Sequence, residues 1–98
     1  MAEQRKIDFP FEEVYLKNGL YLRTFAEDTD SEELIWHRDK ENRKILIVEG
    51  NGWLLQVEDQ LPMILEKNKE YSIKANQWHR VIKGKNDLIL FIKKENKK

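Results

Sequence analysis

Two histidines and one aspartate carry the most distinctive chemistry in this chain. They lie in Ile35-Trp36-His37-Arg38-Asp39 and Gln77-Trp78-His79-Arg80-Val81, and no other histidine is present. On an extended backbone, residues i and i+2 project to the same face, so His37 and Asp39 would stand side by side. A strand through residues 33 to 37, with another carrying His79, would complete the group. Two imidazoles and a carboxylate suit a divalent ion such as Fe(II), Mn(II), Ni(II) or Zn(II), and three protein ligands leave positions open for water and substrate. Such a centre can polarise a substrate oxygen, lower the pKa of bound water or handle dioxygen. The competing reading is a pair of hydrogen-bonded core histidines, with Asp39 in a strand-end turn.

Composition narrows the alternatives. The chain has 98 residues, enough for one small core. Its 18 basic and 18 acidic residues are interspersed and cancel, so charge gives no reason to expect nucleic acid or membrane as a partner. Cysteine is absent, which removes disulfides, thiolate catalysis and cysteine-held metal. The start, Met1-Ala2-Glu3-Gln4-Arg5-Lys6, has no apolar run behind it and does not read as a signal peptide, and no stretch approaches membrane length. A cytoplasmic location is the expectation. No serine or other nucleophile stands beside either histidine, and Glu49-Gly50-Asn51-Gly52 lacks the helix that a phosphate-binding loop feeds.

The elements that must position the trio read as strands. Val14-Tyr15-Leu16 and Leu20 to Phe25 flank Lys17-Asn18-Gly19, a hairpin signal. Ile45-Leu46-Ile47-Val48 predicts a strand buried on both faces. Further strands are expected at 53 to 57, 61 to 65, 71 to 73, 78 to 82 and 88 to 92. The turns between them fall about every ten residues, as in a sandwich or barrel. A helix capped by Ser31 is the rival for the segment before His37, but its apolar residues have poor helical periodicity. The expectation is an all-β barrel over residues 9–93, with a loose segment at 1–8 and a disordered basic tail at 94–98.

In register, the chain resembles the small single-domain cupins, whose jelly-roll barrel carries two short motifs. His37 takes the leading histidine of the first motif and Asp39 takes the second. Arg43 stands at the motif's glutamate and Gly50 at its closing glycine. In the second motif Asn68, Lys74 and Asn76 stand at glycine, proline and glycine, His79 falls on the histidine, and Lys83 replaces the asparagine. The resemblance implies a cupin double-stranded β-helix with one divalent metal on His37, Asp39 and His79. It also implies an interior pocket for a small polar or anionic metabolite, serving an oxygenase, isomerase or lyase.

Arg43 departs from that pattern. Pointing inward, it would either grip an anionic group of the substrate or pair with Asp39 and occupy the metal's space. Gln56 is a substrate-binding candidate if it faces the interior, and an outer-face residue otherwise. Tyr71 and Glu49 are further pocket candidates. Trp36 and Trp78 should point away from the histidines, onto a sheet face where a homodimer could form. A metal-free small-molecule binder and a purely interacting domain remain as alternative functions.

Overall fold

The computed structural model describes residues 10–31 and 34–95, and its named elements are eight β-strands. In chain order these are β1 Glu12–Lys17, β2 Leu20–Phe25, β3 Asn42–Asn51, β4 Leu54–Val57, β5 Met63–Ile64, β6 Glu70–Ile73, β7 His79–Ile82 and β8 Lys85–Glu95. They form a five-stranded sheet, β1-β2-β8-β3-β6, and a three-stranded sheet, β5-β4-β7, with antiparallel pairing throughout. The two sheets enclose one core.

Strand alternation sets that core. Phe25 on β2, Ile45 and Ile47 on β3, Leu55 and Val57 on β4, Ile73 on β6, and Leu88, Leu90 and Ile92 on β8 are all buried. Between them, Leu46 on β3 is 39% exposed, so this strand buries one face rather than the two expected of an unbroken apolar run. Antiparallel sheets commonly leave one face to water, and here the fold class overrides the local pattern. Trp53 is fully buried and donates its indole N–H to the carbonyls of Lys85 and Asn86, closing the corner between the sheets.

Turn chemistry is supplied by asparagine as well as glycine. Asn18 and Gly19 both take positive φ, 49° and 78°, the two-residue hairpin predicted between β1 and β2. Asn68 and Asn76, which stand where the cupin motif has glycine, take φ of 67° and 64°. Asparagine tolerates the left-handed region through local hydrogen bonding, so the backbone demanded by the motif survives the substitution.

Two expectations need correction. The segment before His37 is not a strand: its described residues, from Leu34, make only one isolated bridge, His37 to His79, and residue 33 lies outside the described residues. Leu34 is buried, and its N–H donates to the carbonyl of Ser31. At the other end, β8 runs to Glu95, with Arg43 paired to Lys94 and Asn42 to Glu95, so the barrel extends past residue 93. Residues 1–8 and the remainder of the expected tail lie outside the described residues.

Candidate metal centre and its cavity

The bridge between His37 and His79 builds the site. Each residue gives its N–H to the other's carbonyl, at 3.0 and 2.8 Å, so the two are directly opposed across an antiparallel pair and project to one side. Their rings meet edge to face with centroids 4.3 Å apart. His79 opens β7 and is 4% exposed, whereas His37 stands at the open mouth. Asp39 is held by its own backbone, because its carbonyl accepts the N–H of Asn76, 2.6 Å away, in the turn that leads into β7. The side-chain ligand atoms of His37, Asp39 and His79 lie within 4.8 Å of one another.

Both imidazoles are oriented from behind. His37 Nδ1 lies 3.1 Å from the carbonyl of Ile35, and His79 Nδ1 lies 2.8 Å from that of Gln77. A carbonyl only accepts, so each Nδ1 carries a hydrogen, and each ring in its neutral form offers its Nε2 lone pair to the centre. This is the arrangement by which outer partners orient metal-binding histidines. With His79 neutral, it also sets an acceptor against an acceptor. Asp39 Oδ2 sits 3.3 Å from His79 Nε2, yet it is buried and makes no hydrogen bond. Ligand atoms on a common ion at about 2.1 Å stand roughly 3.0 to 3.4 Å apart in octahedral or tetrahedral arrangement. The donor types and the 3.3 Å pair therefore suit a divalent cation, onto which the 4.8 Å spread of the trio would have to contract.

Electrostatics favour the required protonation states. Burial pushes the Asp39 carboxyl up, but His79, Arg43 and His37 outweigh it and hold the group below the usual carboxylate range. Burial pushes the His37 imidazole down, keeping it neutral, against an opposing effect of the Ile35 carbonyl. Both shifts present unprotonated ligands near neutral pH.

Arg43 lies on β3 with its acceptors already supplied. Its Nε and Nη2 both donate to Glu41 Oε2, at 3.1 and 2.8 Å, and its Nη2 pairs with Asp39 Oδ1 at 3.3 Å. It thus steadies one oxygen of Asp39 while the other turns toward the imidazoles. Gln56 does not face the interior. Leu55 and Val57 take that side of β4, and Gln56 lies on the outer face, bonded to Arg80 Nε and the Gln60 carbonyl. Tyr71 packs on the core, but its hydroxyl clamps the loop after β5, donating to Ile64 O and accepting from Glu66 N. Glu49 is spent at the surface, paired with Lys67. None of these last three lines the cavity.

That cavity, about 730 Å³, opens beside the trio and runs into the barrel. Its apolar wall includes Phe25, Ile45, Leu55, Ile73, Val81 and Leu90. Arg23 is the polar group that sequence reasoning missed. On β2 it faces inward between Tyr21 and Phe25, 8% exposed, opposite Glu13 of β1 and Leu90 of β8. The available signal was its period of two with those aromatics, which places a cation on a core-facing row. Trp36 and Trp78, about 40% exposed, sit on the outside under Arg80 and Arg38 respectively.

No family model and no curated protein matches the sequence. Among solved structures, 32 chains match. An RmlC-like cupin with a double-stranded β-helix fold, from Methanocaldococcus jannaschii, aligns over 94% of this chain and 86% of its own, with a TM-score of 0.63 and 15% identity. A DMSP lyase structure aligns over 74% of this chain with a TM-score of 0.64 and 15% identity, and the chain spans only 35% of that protein. The Fe(II) form of HppE with the alternative substrate (S)-1-HPP aligns over 84% of this chain and 47% of its own, with a TM-score of 0.61 and 13% identity. The fold is that of the cupin double-stranded β-helix.

Proposed function

We propose that this cupin-fold chain holds one divalent metal on His37 Nε2, Asp39 Oδ2 and His79 Nε2, and takes a small polar or anionic molecule into the barrel beside it. The observation that carries the reading is Asp39 Oδ2, a buried carboxylate oxygen 3.3 Å from His79 Nε2 that has no hydrogen-bond partner. A cation between the two atoms, a metal ion or a proton on Nε2, satisfies both. Fe(II), Mn(II), Ni(II) and Zn(II) all suit the donor set. When bound, the ion would supply a Lewis acid with open positions for water and substrate, as an oxygenase, isomerase or lyase requires. His79 and Asp39 contribute ligands fixed by the fold, His37 closes the set from the mouth, and the apolar wall excludes water from a bound molecule. The cupin neighbours that are metalloenzymes support the reading by analogy of fold alone. A chain without cysteine performing this chemistry suits the cytoplasm.

A metal-free binding barrel is the second reading, favoured by the 3.3 Å ion pair between Arg43 and Asp39. Elemental analysis of untagged protein separates the two. Near-equimolar metal in the parent, lost in His37→Ala and His79→Ala, is the expected result. No metal after loading with each of the four ions would leave the binding barrel as the function.

A further inference from the structure

Arg23 is a buried charge for which the trio has no use, and its bonding is incomplete. A guanidinium presents Nε–H and one Nη–H in parallel, an edge that matches the two oxygens of a carboxylate. Glu13 does not use that edge fully: both its oxygens sit 3.1 Å from Nη2, and the buried Nε has no hydrogen-bond partner. Arg43 shows the contrast, since its Nε and Nη2 both have an acceptor. Phe11 lies 3.7 Å from the Arg23 guanidinium carbon, over one face of the plane, so the group is steadied. Leaving a charged donor buried and unpaired is costly, so an acceptor arriving through the cavity would be strongly favoured.

The charge around the cavity points the same way. Among the described residues, Arg23, Arg38, Arg43 and Lys94 line it against Glu13 and Asp39. A divalent ion on the trio would widen that cationic excess.

We propose that Arg23 is the anion-recognition group of this cavity, its Nε–H taking a carboxylate oxygen of a small organic acid whose remainder occupies the space shared with the trio. This deepens the proposed function by naming the ligand class, and it rests on that reading only at the metal end; the Arg23 contact needs no metal. Glu13 acts as the competitor, holding Nη2 when the cavity has no anion in it.

The test is titration of acetate and succinate into chelator-treated and Zn(II)-loaded protein. Binding is followed by calorimetry and by the arginine Nε–H resonances. Saturable binding to both forms, with one Nε–H resonance shifting, is expected. Arg23→Lys keeps the charge but removes the edge, and should weaken binding roughly tenfold or more while the zinc content stays equal to the parent's. Glu13→Gln should tighten binding, which keeps the idea testable if Arg23→Lys fails to fold. Equal affinity in parent and Arg23→Lys, weaker binding by Glu13→Gln, or no saturable binding by the folded parent would overturn the assignment. Loss of zinc binding with carboxylate binding intact would sink the metal reading alone.

Discussion

Asp39→Asn separates a metal ligand from a structural ion pair, because the two roles predict different energies. In the parent with His79 neutral, Oδ2 and His79 Nε2 are two acceptors 3.3 Å apart. An asparagine can set its amide N–H at that position and donate to Nε2, a bond with a net value of about 0.5–1.5 kcal/mol. Against this stands the lost attraction to Arg43, which retains Glu41 at 2.8 Å. The two changes roughly offset, so the metal-free variant should melt within about 6 °C of the metal-free parent, at 4–8 °C per kcal/mol for a domain of this size. Metal should behave differently. At a free concentration about 100 times its Kd, the parent gains about 2.7 kcal/mol, or roughly 11 to 22 °C. In the variant most of that gain should vanish. Differential scanning fluorimetry with and without Mn(II) or Zn(II) gives both numbers. A metal-free variant destabilised by the 3–5 kcal/mol typical of a broken buried pair would show that Asp39 serves Arg43 instead. An undiminished metal shift would show that the carboxylate is not a ligand.

Other expectations follow from the same geometry. Gly84→Ala should cost at least about 2 kcal/mol in urea unfolding, because a Cβ there would run into the backbone of Asn51, Gly52 and Trp53. The metal-free protein should lose stability in acid. His37 and Asp39 both have lowered pKa values when folded, so the unfolded chain binds more protons. Their contribution is complete above their ordinary values, 6.5 and 3.8, and is lost as pH falls through the folded ones. Melting curves taken from pH 8 downward should therefore fall first below about 6.5 in the parent and show less of that early fall in His37→Gln. A homodimer joined through the face bearing Trp36 and Trp78 predicts that Trp78→Glu halves the sedimentation mass while leaving the metal content unchanged.

The grouping of the candidate trio was legible because its residue types are rare in the chain and the spacing of the turns pointed to a barrel of short strands. The physical route differed from the simple one. His37 and Asp39 were expected to share a strand face, whereas a single bridge places His37 and a hydrogen bond from Asn76 places Asp39. Such tethers between distant segments leave no periodic signature. Gln56 failed because a strand's pattern gives two possible facings, and the neighbouring leucine and valine took the core. Arg23 escaped notice because a cation on a core-facing row contradicts the burial rule that finds cores. Its compensation, Glu13 on the paired strand, becomes visible only once β1 and β2 are in register.

The bridge at His37 also bears on kinetics. The segment from Leu34 to Glu41 reaches the barrel through that bridge, the Asp39 carbonyl, the buried Leu34 side chain and a few side-chain pairs. Such a weakly attached segment can open while the ladders of β3 and β8 stay closed. An ion held across residues 37 and 79 would then escape at the rate of that local opening rather than of global unfolding. The amide of His37 would report the event directly, exchanging with solvent deuterium far sooner than the amides of the barrel core. Metal would slow that one proton more than the amides of β8.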